Sequence, residues 1–265
     1  MRFRVHEPGQ VLPHDIHIWF RPTGALDAAA IAAAVSVLSD DERAQYRRYH
    51  FARDARDYAA AHALLRHTLS RYADRAPADW RFEKTPAGKP LVRDADTVRA
   101  SFSLSHTHGM VACAVTKDAD VGVDVECVDR DVHTEDIAAR FFAPAEAAHL
   151  MQLDAEARRD RFFDLWTLKE AIVKARGASM AMSLSSLAFA VDPGGISLEA
   201  PADVDAPSWQ FGLFAPSPTH RLAVAARRSV SRPARLTSHL SQRRRGEARG
   251  DDQNDGAGRY VLMLV

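Results

Sequence analysis

Two carboxylates stand two residues apart in the run VGVDVEC, residues 121–127. Built as a strand, that run sends Val121, Val123 and Val125 to one face and Gly122, Asp124 and Glu126 to the other. Neighbouring carboxylates repel each other unless a cation lies between them. A hard divalent ion such as Mg²⁺ suits them, because it takes carboxylate oxygens and leaves positions open for phosphate and water. The same pattern equally describes the solvated outer face of an edge strand.

A second segment, FFDLWTLKEAIVKARG (residues 162–177), has helical spacing. Phe162, Leu165, Trp166, Ile172 and Val173 supply an apolar stripe, while Glu170 and Lys174 lie four apart on one face. A pair so spaced can be a plain surface ion pair, worth about 0.3–0.5 kcal/mol. It can also supply a third metal carboxylate or general base, with the lysine as a point charge for phosphate. A third segment, FSLSHTHGM (residues 102–110), places Ser105 and His106 at the end of a strand beside a tight link. His106 and His108 lack a third partner at zinc-like spacing, so a zinc site is not expected. In a fourth, PAGKPLV (residues 86–92), Lys89 sits between Gly88 and Pro90, where a rigid turn can hold it toward an anion.

The elements that must position these residues follow from local pattern. A half-buried strand is predicted over 15–20 and an Ala-rich helix over 26–37. Ser39 and Glu42 form a capping-box pattern that starts a helix at Asp40. A longer helix is predicted over 54–74. Strands follow over 100–105, 110–116 and 120–127, the first two joined by the link His106–Gly109. Helical pattern covers 133–142, and Pro144 suits a helix's first turn. The helix carrying Glu170 runs from about 155 to Arg176 and stops at Gly177. Strands are predicted again over 186–191, 208–214 and 220–226. This is an α+β order, compatible with two related halves meeting near residue 120.

Composition narrows the function. The chain has 265 residues, 46% of them hydrophobic, and no formal net charge. That balance points to neither nucleic acid nor a membrane surface. Cys113 and Cys127 lie in apolar strand-like runs and read as small buried hydrophobes rather than a disulfide framework. The opening MRFRVHEPGQ lacks the apolar core of a signal peptide, so a cytoplasmic location is expected. Residues 227–265 are rich in Arg, Ser, Gly and Asp until the closing VLMLV, and are expected to be a disordered, dispensable tail.

Taken in order, GKP, F-S-x-S-H, G-V-D-V-E and W-T-x-K-E-A-x-x-K-x-x-G, the four segments resemble the motifs of the 4′-phosphopantetheinyl transferase superfamily. The resemblance spans about residues 15–226, and the length matches the long, surfactin-synthetase-activating class, in which one chain holds two pseudo-symmetric halves. It implies a coenzyme A-binding half over 1–120 and a metal and catalytic half over 121–226. It implies that Asp124, Glu126 and Glu170 surround Mg²⁺ (or Mn²⁺), with Glu170 and Lys174 catalytic. Lys174, Lys89, Ser105 and His106 would meet coenzyme A phosphates, and Arg43, Arg48 and Arg56 are candidates for its 3′-phosphate. Asp57 falls where an arginine could stand, and Arg66 is as readily structural.

The implied reaction transfers the 4′-phosphopantetheine group of coenzyme A to a serine of an apo acyl or peptidyl carrier protein. The carriers of peptide, polyketide, fatty-acid or lysine metabolism are all in scope, and the transferase is expected to be a monomer. Phosphoryl transfer asks a protein mainly for positioning and charge stabilisation. The partner's serine is the nucleophile, so no Ser-His-Asp constellation is needed. The rival readings are a magnesium-dependent phosphohydrolase acting on coenzyme A-like pyrophosphates and a non-catalytic coenzyme A-binding module.

Overall fold

A computed structural model describes residues 15–93, 100–117, 119–177, 183–227 and 259–264. In chain order the elements are β1 (Asp15–Pro22), α1 (Ala28–Ser36), α2 (Asp40–Arg48), α3 (Ala52–Leu69), β2 (Phe82–Lys84), β3 (Pro90–Val92), β4 (Ser101–Thr107) and β5 (Met110–Thr116). They continue with β6 (Val121–Cys127), α4 (Thr134–Phe141), α5 (Pro144–Met151), α6 (Ala155–Arg176), β7 (Ala188–Asp192), β8 (Gly195–Glu199), β9 (Trp209–Ser217), β10 (His220–Arg227) and β11 (Arg259–Leu264).

Two main sheets form, one ordered β11-β1-β5-β4 and the other β6-β10-β9. Strand alternation sorts their side chains into layers. Ile16, Ile18, Phe20, Met110, Ala112 and Ala114 of the first sheet meet Val121, Val123, Val125, Leu222, Val224 and Ala226 of the second in one dry core. The opposite face of the first sheet, with Trp19, Val111, Cys113 and Val115, packs with Ala60, Ala61, Leu64 and Leu65 of α3. The opposite face of the second sheet, with Ala223 and Ala225, packs with Ala171, Ile172 and Ala175 of α6. The layers therefore run helix, sheet, sheet, helix, with α3 covering the first sheet and α6 the second. Both cysteines are buried and free. Among the described residues no helix is long and apolar enough to cross a membrane.

Local signals place most boundaries. The capping box forms in full, with Glu42 N–H donating to Ser39 Oγ at 3.3 Å and Ser39 N–H to Glu42 Oε2 at 2.9 Å. Gly177 ends α6 at φ 60°, in the left-handed region that favours glycine. The link between β4 and β5 turns on Gly109, at φ 81°. α3 is shorter than the pattern over 54–74 predicts and ends at Leu69: beyond Ser70 the N–H groups of Arg71 and Tyr72 donate to the Thr68 and Leu69 carbonyls only three residues back, so the chain leaves the α-helical ladder in a tighter turn. β8, which pairs with β7, is not anticipated from the sequence.

One expectation needs correction. The segment Arg259–Leu264 is a strand parallel to β1, with Ile16 opposite Tyr260 and Ile18 opposite Leu262. An edge strand leaves a row of backbone N–H and C=O groups to be satisfied, and the apolar closing segment takes that role on β1. The first sheet is thus completed from the far end of the chain, and a boundary at 227 does not separate tail from fold. The expected disorder over 228–258 lies outside the described residues.

Candidate functional site

The site is built where α6 crosses β6. Gly122 makes the crossing possible: a Cβ there would stand 2.0 Å from the Ala171 carbonyl oxygen and 2.4 Å from the Ala175 nitrogen. The helix backbone therefore lies directly on the strand, one step along the face that carries Asp124 and Glu126. Glu170 and Lys174, each one residue before the Ala171 and Ala175 contacts, come down beside those carboxylates. The face is not a solvated edge, since Asp124 is 4% exposed.

Lys174 Nζ donates to Asp124 Oδ1 at 2.7 Å and to Ser105 Oγ at 2.9 Å. Ser105 Oγ in turn donates to Asp124 Oδ1 at 2.9 Å. Oδ2 of Asp124 is buried without a hydrogen-bond partner. Glu126 accepts from Arg130 at 2.6 Å and Thr107 at 3.3 Å through Oε2, and from Trp166 Nε1 at 3.3 Å through Oε1. Burial raises the pKa of Glu170; Asp124 and Glu126 add to this and Lys174 opposes it. Burial also raises that of Glu126, with Asp124 adding and Arg130 opposing.

Among the described residues no three His, Cys, Asp or Glu groups converge closely enough to hold an ion as they stand. Lys174 and Arg130 are the cations paired with Asp124 and Glu126. The donors nevertheless fit a hard divalent ion. All are carboxylate oxygens, one of them is buried and unpartnered, and burial together with the neighbouring carboxylates disfavours the charged form of Glu126 and Glu170.

The other candidates divide. Lys89 reaches from the turn before β3 to the C-terminal end of α6, where Nζ donates to the Ala175 carbonyl at 2.7 Å. It also stands 3.9 Å from Asp120, and its side chain packs on Gly177. Burial lowers its pKa. With Gly88, Lys174 and Gly177 it lines a cavity of about 230 Å³. That cavity shares Pro90 and Leu104 with a wider cleft of about 920 Å³, lined by Arg43 of α2 together with Arg81, Lys84 and Arg93. His106 lies beside the Tyr58 ring; desolvation lowers its pKa, the charges of His62 and Lys174 add to this, and Asp57 and Asp54 oppose it.

Arg48 is exposed, and neither it nor Arg56 lines the cleft. Arg56 is held by Asp57 at 3.1 Å. Asp57 is buried and accepts also from Thr23 and from the Gly109 N–H, so it fastens the β4–β5 turn. Arg66 is structural: it is fully buried, bonded to Glu42 and to the carbonyls of Pro77 and Trp80. The geometry adds residues that the sequence reading does not single out: Gly122 as a contact, Thr107, Arg130, and the basic group Arg81, Lys84 and Arg93. The last three bracket the Gly88–Pro90 turn in the sequence, which is a signal visible without the structure.

Comparison with known proteins gives a consistent result. The family model for the 4′-phosphopantetheinyl transferase superfamily matches residues 120–225, and that for the 4′-phosphopantetheinyl transferase N-terminal domain matches residues 26–118. The 4′-phosphopantetheinyl transferase HetI of a Nostoc species is 30% identical, the match covering 81% of this chain and 89% of that protein. The 4′-phosphopantetheinyl transferase Sfp of Bacillus subtilis is 30% identical over 72% of this chain and 83% of its own length. The 4′-phosphopantetheinyl transferase psf-1 of Bacillus pumilus is 32% identical over 73% of this chain and 81% of its own.

Proposed function

The chain belongs to the 4′-phosphopantetheinyl transferase superfamily, and from that premise we propose that it transfers the 4′-phosphopantetheine arm of coenzyme A to a serine of an apo acyl or peptidyl carrier protein, releasing adenosine 3′,5′-bisphosphate. The observation that carries the reading is the buried Asp124 carboxylate, with one oxygen on Lys174 and the other unpartnered, near enough to Glu126 and Glu170 for their charges to interact.

Asp124, Glu126 and Glu170 would hold Mg²⁺. The ion, when bound, neutralises charge on the pyrophosphate of coenzyme A. Lys174 offers the leaving bisphosphate a positive charge fixed by Ser105 and Asp124, so little reorganisation is needed as negative charge develops. Glu170 is the base for the carrier serine proton. Lys89 lines a small cavity with Lys174, His106 lies within electrostatic reach of Lys174, and the adjoining wider cleft, where Arg81, Lys84 and Arg93 stand among Asp41 and Glu83 and Arg43 pairs with Asp40, would receive the phosphorylated ribose end. The partner supplies the nucleophile, so the reaction needs no Ser-His-Asp arrangement in this chain.

The test is mass spectrometry of an apo carrier protein incubated with coenzyme A, Mg²⁺ and this protein. The carrier serine should gain the phosphopantetheine mass, and Asp124→Ala should reduce the rate by at least about 100-fold. Release of free phosphopantetheine with no modified carrier would instead establish hydrolysis.

A further inference from the structure

Beside the shared apolar core, hydroxyl groups join the edges of the two sheets at β4 and β6. β6 pairs through its backbone with β10, and β4 with β5. Between β4 and β6 the hydrogen bonds run through side chains at every second residue. Ser103 Oγ accepts the Val123 N–H at 3.0 Å, Ser105 Oγ the Val125 N–H at 3.3 Å, and Thr107 Oγ1 the Cys127 N–H at 3.3 Å. A buried strand edge needs such partners for its N–H groups. Two of the three hydroxyls then pass a bond onward. Ser105 donates to Asp124 Oδ1 at 2.9 Å, and Thr107 donates to Glu126 Oε2 at 3.3 Å.

A hydroxyl has one proton and two lone pairs. Accepting the N–H of the residue after each carboxylate turns the hydroxyl so that its proton meets the carboxylate itself. For Ser105 the second acceptor position is taken by Lys174, so its capacity is fully used inside the protein. These bonds give Ser105 a structural and orienting role beside the phosphate contact that the family resemblance implies.

We propose that Ser105 and Thr107 are positioning residues that aim Asp124 and Glu126 at the metal site, the same bonds that fasten the two halves also setting the carboxylate rotamers. Ser103 fastens the seam at Val123 and, among the described residues, bonds no carboxylate. The inference rests on the transferase reading of the carboxylate site and extends it to the opposite half of the chain.

Thr107 gives the cleaner test, because Ser105 also touches Lys174. Binding of Mn²⁺ alone, followed by the electron paramagnetic resonance signal of the free ion, is compared in the parent, Thr107→Val, Thr107→Ser and Ser103→Ala. The Mg²⁺ concentration for half-maximal carrier modification is measured alongside. Thr107→Val should weaken Mn²⁺ binding about tenfold, the lower end for a residue supporting a metal ligand. Thr107→Ser should restore it, and Ser103→Ala should lower the melting temperature with Mn²⁺ binding unchanged.

Equal Mn²⁺ affinities for Thr107→Val and the parent, in a parent that modifies its carrier, would overturn this inference and leave the transferase reading standing. A parent that neither binds Mn²⁺ nor modifies a carrier would overturn both. Should Thr107→Val not fold, Ser105→Ala makes the same comparison at Asp124, with the same outcomes deciding it.

Discussion

Lys174 Nζ stands 2.7 Å from Oδ1 of Asp124, a residue fifty positions earlier in the chain, while Oδ2 of the same carboxylate is buried and unpartnered. The lysine thus acts as counter-ion on one side of a carboxylate whose other side is left for a second cation. Lys174→Met removes that counter-ion and should destabilise the protein by about 1–3 kcal/mol, the cost of an unpaired buried polar group. Mg²⁺ should then raise the melting temperature of Lys174→Met by more than it raises that of the parent. Identical Mg²⁺-dependent shifts would mean that the ion does not bind at Asp124.

Gly122 is where the helix rests on the strand, and a Cβ added there would lie 2.0 and 2.4 Å from backbone atoms of α6, which leaves no room for a side chain. Gly122→Ala must push α6 away from β6, because backbone cannot swing aside as a flexible side chain does. The expected loss is at least about 3 kcal/mol of stability, the upper part of the range for overpacking. Carrier modification should fall even at temperatures where the variant is folded, since Glu170 and Lys174 ride on the displaced helix. A variant with parental melting temperature and rate would show that the close approach is not needed.

Glu42 anchors a buried ionic cluster on the other covering helix, with His62 Nδ1 at 2.8 Å and Arg66 Nε at 2.9 Å. Burial pushes its pKa up, but the His62 hydrogen bond and charge, the Ser39 N–H and the Arg66 charge together outweigh burial and hold it at about 2, from 4.5. A depressed carboxylate pKa favours the folded state above 4.5, and the benefit is lost as pH falls from 4.5 towards 2. Glu42→Gln should cost about 3 kcal/mol at neutral pH and give a flatter decline of stability across that acid range. Chemical denaturation at several pH values measures both; parallel curves for parent and variant would remove Glu42 from the acid response.

β11 completes the edge of the first sheet beside β1. Deleting residues from Arg259 onward strips a backbone ladder and should lower the melting temperature by at least about 2–4 °C, the shift that corresponds to 1 kcal/mol in a chain of this size. An unchanged melting curve would return this segment to the dispensable tail that composition alone predicts.

Much of the site is legible in the sequence because its rules are local. Period-two alternation in VGVDVEC puts Asp124 and Glu126 on one face whatever lies opposite, and four-residue spacing on a helix does the same for Glu170 and Lys174. Ser39 and Glu42 satisfy each other within one turn, and Gly177 needs only its own left-handed φ, so both helix ends could be placed from sequence. The motif resemblance rests on these same local units.

What covers a face, or occupies an edge, depends on two segments that meet only in the folded chain. Gly122 reads as a gap in an alternating strand until α6 is laid on it so closely that an added Cβ would stand 2.0 Å from the Ala171 carbonyl oxygen. Ser103, Ser105 and Thr107 carry no sign of the N–H groups they meet about twenty residues later, nor does VLMLV of its pairing with β1. Sequence pattern alone determined the elements, the direction of the carboxylates and the family resemblance. Tertiary structure alone decided that the carboxylate face is buried, that Lys174 neutralises Asp124, that hydroxyls join the halves and that the closing strand belongs to the first sheet. Local dihedral preference and periodicity act within a few residues, whereas these contacts depend on how distant backbones pack.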